Sequence, residues 1–121
     1  MLDKRVEQFR EHCFNNGSTF SFNGENLVGK KFYSVGINQE QKIKGKITFH
    51  IFKKYFDESI NFSEHLNQDH YGVGTWFDIE NNCTYLDVVA ILESKDNAIQ
   101  VAKRNKEIAF YDLFERELIY L

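Results

Sequence analysis

Three short segments of the sequence place an aromatic residue and an aspartate two positions apart. The surrounding residues are rich in β-branched and aromatic types, which favours strands, and residues two apart in a strand share a face. Exposed aromatic side chains ringed by charge are typical of surfaces that bind other proteins. The structural alternative is that the aromatics pack under an N-terminal helix and the aspartates accept hydrogen bonds at strand ends. The pairs are Trp76 with Asp78, Tyr85 with Asp87, and Phe110 with Asp112.

The same aspartates and two histidines raise the question of a metal site. Three carboxylates hold a hard cation such as Mg²⁺ only when their oxygens converge, which neighbouring strand positions often prevent. His65 and His70 are spaced so that they reach one zinc ion only from a loop. We therefore expect no metal and no cofactor. A small metal-dependent hydrolase that uses the aspartates or these histidines is kept as an alternative function.

Charge is segregated along the chain, although the net charge is only -3. Residues 30–54 hold seven lysines and one acid, a local charge of +6, whereas residues 55–94 hold eight acids and neither Lys nor Arg, a local charge of -8. We expect the segments to neutralise each other, with single-stranded nucleic-acid binding by the basic segment as a further alternative. The aromatic pairs have acidic neighbours that repel phosphate, which makes nucleic acid the less favoured partner. The lysines are Lys30, Lys31, Lys42, Lys44, Lys46, Lys53 and Lys54.

Length and composition narrow the class of protein. The 121 residues (14.3 kDa), 42% of them hydrophobic, fit one domain with its own core. Because the sequence shows neither the roughly 18 to 20 apolar residues of a membrane span nor a signal-peptide core, we expect a cytoplasmic protein with no membrane partner. Cys13 and Cys83 form no Cys-x-x-Cys pair and are expected to be free thiols.

The N-terminal residues 1–29 are expected to form an extension of the core. Helical spacing predicts an amphipathic helix over residues 2–14. Phe20 and Phe22 alternate with polar residues before Asn23-Gly24, the residue pair typical of a hairpin turn, which predicts a small β-ribbon. The apolar stripe of the helix, expected to face the core, is Leu2, Val6, Phe9 and Cys13.

The pattern of residues 30–121 predicts an α+β core. Residues 43–51 fit a strand or a helix, and Thr48 as N-cap favours a helix. The order strand, helix, strand, strand, helix, strand is the split βαβ order of ferredoxin-like two-layer sandwiches, with both helices on one sheet face. The predicted elements are a strand at 31–37 that extends towards residue 43, a helix at 49–66, hairpin strands at 75–79 and 84–92, a helix at 95–106, a strand at 108–113, and an apolar tail at 118–121 that packs or pairs.

Alternation within the predicted hairpin assigns its side chains to two faces. A short turn at Asn81-Asn82 places Phe77 beside Leu86, on the face that suits the helices. The second set lines the opposite face, which is open to solvent or covered by the N-terminal extension. That set contains Trp76, Asp78, Tyr85 and Asp87.

A further pattern spans residues 74–113. It comprises Gly-Thr-Trp-Phe-Asp from Gly74, Thr-Tyr-Leu-Asp-Val-Val from Thr84, Ala98 and Ala102, and Tyr-Asp-Leu from Tyr111. This segment resembles small uncharacterised α+β domains of bacteria and phages. The resemblance implies a strand, strand, helix, strand unit and no particular activity, and the link of such domains to mobile elements implies an inhibitor or accessory factor.

The sequence thus favours a non-enzymatic protein-interaction module. The three aromatics are expected to anchor a partner protein, and the three aspartates to make the surface complementary to a basic partner. Self-association through the same face, giving a homodimer, is a variant of this hypothesis.

Overall fold

The computed structural model describes residues 4–121, and of Gln39 only the backbone. Three helices and six strands follow one another along the chain. The helices are α1 Lys4–Asn15, α2 Phe49–Phe62 and α3 Lys95–Arg104, and the strands are β1 Gly17–Ser21, β2 Tyr33–Lys44, β3 Tyr71–Asp78, β4 Cys83–Leu92, β5 Ala109–Asp112 and β6 Glu117–Tyr120.

The strands form one antiparallel sheet in the order β1-β3-β4-β2-β5-β6. The predicted α+β class is confirmed. The ferredoxin-like layout is not confirmed, because the sheet extends beyond four strands: β1 adds next to β3 at one edge and β6 next to β5 at the other. Among residues 4–121, no helix combines the length and the apolar character needed to cross a membrane.

The predicted N-terminal ribbon forms in part, with Phe20 bridged to Asn26 across the turn, and its strand β1 also joins the main sheet. A Cβ atom at Gly72 would lie 1.9 Å from the carbonyl oxygen of Phe20, so glycine is what allows β1 to approach β3 closely. The turn at Asn23-Gly24 does form, and it folds the chain back over the outer edge of β1. There the Leu27 amide donates to the Thr19 carbonyl and the Ser21 amide to the Glu25 carbonyl.

The helical alternative for residues 49–66 is confirmed, although the helix is shorter than predicted. Thr48 caps it by accepting a hydrogen bond from the Ile51 amide at 3.2 Å. The preceding strand ends at Lys44, where Gly45 adopts a positive φ of 77°. The helix ends at Phe62, and residues 63–70 form turns before β3.

The helices α2 and α3 cover one face of the sheet, called here the helix face. From α2, the buried residues Phe52 and Phe56 pack with Phe20, Val73 and Leu86. A second cluster lies under α3, where its two small buried residues meet β2 and β5; its members are Ala98, Ala102, Val35 and Phe110.

The face of α1 that docks on the protein includes only part of the predicted apolar stripe: Phe9 packs on the core beside Phe52, whereas Leu2 lies outside the described residues. The buried residues of α1 are Gln8 and His12, whereas Cys13 is exposed. Gln8 Nε2 donates to the Gly24 carbonyl at 3.0 Å, and the His12 ring nitrogen Nδ1 lies 2.7 Å from Thr75 Oγ1. The helix therefore docks through polar groups at the edge of the sheet, where backbone carbonyls and a hydroxyl need partners, and burial lowers the pKa of His12.

The hairpin of β3 and β4 keeps the predicted face sets but is shifted by two residues. Phe77 pairs with Thr84 and Trp76 with Tyr85. The loop comprises four residues, 79–82, instead of two, and Asn82 adopts a positive φ of 49°. An even shift preserves the faces, because side chains alternate with a period of two.

Two phenylalanines of α2 provide a matched test of this core. Phe56→Ala removes a ring with no exposed surface and should lower the free energy of unfolding by about 3–5 kcal/mol. Phe62→Ala changes a ring that is 64% exposed and should shift the unfolding free energy by no more than about 0.5 kcal/mol. Urea denaturation of both variants measures the difference, and equal losses would contradict the assignment of the buried helix face.

Candidate functional site

The face of the sheet opposite the helices, called here the open face, is covered at one end only. There Leu27 and Leu113 pack on Val89 and Ile91, with Val28 and Phe32 beside them. The remainder of the open face forms a groove of about 880 Å³. The groove crosses the strands from Trp76 on β3 to Leu118 on β6.

One wall of the groove is an aromatic pair. Trp76 and Tyr85 are direct partners across β3 and β4, and their rings stack with centroids 5.5 Å apart at 17°. Trp76 is 50% exposed. On the far side of Tyr85, its β2 partner Lys42 places Nζ 5.8 Å from the centroid of the Tyr85 ring. This wall therefore presents flat aromatic surface that already lies beside an ammonium group.

The floor of the groove contains Asp87, which comes from the central strand β4. Opposite this residue β2 bulges, since the pairing passes from Asn38 with Val88 to Gln41 with Leu86 and leaves positions 39 and 40 facing Asp87 alone. A bulge of this kind re-aims side chains, and it brings Glu40 to the floor.

Two glycines make room for the Asp87 carboxyl group. A Cβ atom at Gly74 on β3 would lie 2.8 Å from Oδ1, and a Cβ atom at Gly36 on β2 would lie 2.5 Å from Oδ2. The second hypothetical atom would also lie 3.1 Å from Glu107 Oε1. Both distances to Asp87 are shorter than real side chains adopt, so the carboxyl group extends over space that only glycines leave open.

The environment of Asp87 disfavours its charged form. Burial, and then the neighbouring carboxylates of Glu40 and Glu107, raise the pKa of Asp87 to about 8. Burial and Glu40 likewise raise the pKa of Glu107. Among the side chains that the structure describes, which exclude that of Gln39, no hydrogen bond involves the Asp87 carboxyl group. Asp87 is therefore mainly protonated at neutral pH, and its half-buried side chain is accessible from the groove.

Two of the predicted partner-binding residues are not on the open face, and the prediction that placed them there is wrong. Pairing of Tyr33 with Asp112 puts Asp112 and Phe110 on the helix face. Phe110 is buried against Ala98 and Ala102. Asp112 accepts hydrogen bonds from the amides of Phe114 and Glu115, both at 3.0 Å, and so shapes the turn that leads to β6.

Asp78 lies at the end of the groove but has a structural role. It accepts hydrogen bonds from the Asn81 side chain at 2.7 Å and from the Asn81 amide at 3.3 Å. These bonds hold the loop between β3 and β4 and lower the pKa of Asp78. Of the six predicted residues, the structure thus brings Trp76, Tyr85 and Asp87 together as accessible groups of the groove.

The predicted basic segment does not form one patch. Lys31 precedes β2 and Lys44 ends it, so they lie at opposite ends of the longest strand. Lys30 pairs with Glu25, and Lys53 pairs with Asp57 on α2 at 2.7 Å. The remaining lysines are also spread over these elements: Lys42 lies on β2, Lys46 follows it, and Lys54 is on α2.

The described part of the chain contains no cluster of side chains that would support the metal-dependent alternative. His65 and His70 are both exposed in the loop between α2 and β3. Within residues 4–121, no three His, Cys, Asp or Glu side chains are arranged so that they could hold a metal ion.

The sequence patterns did not identify the residues that surround the Asp87 carboxyl group. These are Glu40, Glu107, Gly36 and Gly74. A glycine inside a strand marks a bulge or a place where another group approaches closely, and two strands carried such a glycine. That signal was present in the sequence, whereas the bulge that brings Glu40 to Asp87 depends on pairing between distant strands.

In comparisons with known proteins, no family model, no curated protein and no solved structure matches this chain.

The acidic floor predicts a stability that depends on pH. The pKa of Asp87 in the folded protein lies above its unfolded value of about 3.8. The protonated Asp87 therefore contributes its full stabilisation below pH 4, and this stabilisation is lost as the pH rises through about 8. Asp87→Asn keeps the shape and stays neutral. We expect this variant to gain stability relative to the wild type between pH 5 and pH 9, reaching on the order of 1–3 kcal/mol at pH 9.

Urea denaturation at pH 5, 7 and 9 measures this effect. Glu93→Gln, which neutralises an exposed acid outside the groove, is the control and should follow the wild-type profile. Parallel pH profiles of wild type and Asp87→Asn would show that Asp87 is not destabilised in the folded protein.

Proposed function

We propose that the protein is a non-enzymatic binding module that holds a positively charged segment of a partner protein in the groove of the open face. The observation that carries this proposal is the half-exposed, stacked pair of Trp76 and Tyr85 beside an acidic floor. Aromatic anchors flanked by a recess are the usual centre of a protein interface.

The negative charge of the groove lining supports the proposal of a basic partner. Its lining residues include five acids and one arginine, Arg116. A like charge brought into such a recess is repelled, whereas an opposite charge is steered towards it and held. The acids are Glu40, Asp78, Glu80, Asp87 and Glu107.

The aromatic wall supports the same chemistry. Lys42, whose Nζ lies over the Tyr85 ring, shows that a ring of this wall already takes an ammonium group. An arginine of a partner can stack on the exposed face of Trp76 in the same way. We extend the proposal to an inhibitor or accessory factor of a mobile element only on the resemblance carried by residues 74–113.

A test uses the fact that Trp76 is the only tryptophan of the chain. Intrinsic fluorescence therefore reports directly on the groove. Titration with a deca-arginine peptide should change the Trp76 emission and should weaken as salt is added, because charge drives the encounter. A deca-glutamate peptide and an oligothymidine of equal length are the negative probes.

Removal of the aromatic wall should weaken this binding selectively. For the double variant Trp76→Ala, Tyr85→Ala, calorimetry should show at least a ~10-fold lower affinity for deca-arginine, equivalent to about 1.4 kcal/mol. Phe114→Ala, which removes a half-exposed ring of the β5–β6 turn that does not line the groove, should bind like the wild type. Unchanged affinity of the double variant, or binding of oligothymidine in preference to the peptide, would overturn the proposal.

A further inference from the structure

The residues around Asp87 have a specific geometry, which the overall negative charge of the groove does not by itself explain. The Asp87 carboxyl group comes from the middle of the central strand and is flanked by Gly74 and Gly36. Any larger residue at either position would place its Cβ within 2.8 Å of a carboxyl oxygen. The strands on both sides thus leave the carboxyl group uncovered towards the groove.

The same floor brings acidic side chains together, and among the described residues no cation is one of the groups that shift the pKa of Asp87. Glu40 reaches Asp87 through the bulge of β2, and Glu107 reaches it from the segment after α3. The Asp87 carboxyl group is only partly exposed to the groove. A desolvated carboxyl group among like charges costs stability, and groups perturbed in this way cluster at functional sites. The nearby lysine Lys42 lies over the Tyr85 ring instead.

On the basis of the proposed function, we infer that the floor of the groove is a receptor for one cationic side chain of the partner, with Asp87 as its counter-ion and Glu40 and Glu107 beside it. The occupant is the ammonium or guanidinium tip of a lysine or arginine. It would enter between Gly36 and Gly74 while the rest of the partner segment lies along the aromatic wall of Trp76 and Tyr85.

A cationic side chain fits this floor better than the other positive ligands. Within residues 4–121 the acids are not arranged as a cluster that could hold a metal ion, so a bare divalent cation has no ligand set here. A guanidinium group needs only planar acceptors, which two or three neighbouring carboxyl groups supply. The groove is also long enough to hold several residues of the chain that carries the cation.

Binding of such a cation is linked to protons, because it favours the carboxylate form of Asp87. The charged or titratable groups that face Asp87 are Glu40 from β2, Glu107 after α3, and Tyr55 from α2 across the sheet. All three are acids or phenols, so nothing among them replaces the missing positive charge. A cation should therefore release the proton of Asp87 near neutral pH, and its affinity should rise as the pH approaches 8.

The experiment uses butylguanidinium as the probe, with n-butanol as its neutral analogue, and follows the full chain by NMR. Butylguanidinium should shift the amide resonances of Gly36 and Gly74 in a saturable way and should lower the pKa of Asp87 read from its carboxyl carbon. For Asp87→Asn, the affinity for the probe should fall at least ~10-fold. Glu93→Gln, which neutralises an acid outside the groove, should behave as the wild type.

Glu107→Gln provides a second variant, which keeps Asp87 and should lower the affinity for the probe by a smaller factor. The inference is overturned if butylguanidinium leaves both glycine amides and the titration of Asp87 unchanged, or if n-butanol produces the same shifts. It is also overturned if Asp87→Asn and the wild type bind deca-arginine equally, a result under which the aromatic wall can still be the binding surface. Loss of deca-arginine binding in the Trp76, Tyr85 double variant is the separate readout for the proposed function.

Discussion

The central strand β4 is the constraint on which the rest of the structure depends. It pairs with β3 and with β2 along nearly its whole length, so its side chains are committed to two faces with different environments. On the helix face, Leu86 and Val88 contribute to the core under α2. On the open face, Tyr85 and Asp87 line the groove. A slip of one residue would exchange these sets and bury a carboxyl group under the helices, so the apolar core fixes the position of the groove.

The groove shows how a destabilising group is tolerated in a small protein. The core clusters stabilise the sheet, and the glycines and the bulge give Asp87 a place in it without steric clash. The remaining electrostatic cost is reduced because Asp87 binds a proton, which removes its own charge at neutral pH. Binding sites often retain such costs because they are recovered when a ligand of opposite charge arrives.

Local sequence patterns predicted much of the fold but less of the site. The three helices, the hairpin of β3 and β4 and its two face sets follow from periodicity, caps and turn residues, which act over a few positions. Phe110 was assigned to the wrong face because its face depends on pairing between β5 and β2, which no local pattern reveals.

The same limit applies to α1 and to the floor of the groove. The docked face of α1 combines Phe9, which belongs to the predicted apolar stripe, with Gln8 and His12, whose distant backbone and hydroxyl partners no local pattern reveals. Asp87 was identified from its place beside an aromatic residue, but its two acidic neighbours come from separate segments of the chain. Its raised pKa is therefore a property of the assembled sheet.

The two edges of the sheet differ in a way that limits assembly. The outer edge of β1 is capped by the returning chain, through the bonds of Leu27 with Thr19 and of Ser21 with Glu25. Within the described chain, β6 has no strand beyond it, and its exposed Tyr120 and Leu118 lie along that edge. Strand addition is thus one-sided. Two copies that pair through β6 use both open edges at once, so the resulting sheet closes as a two-fold pair and cannot propagate into a fibre.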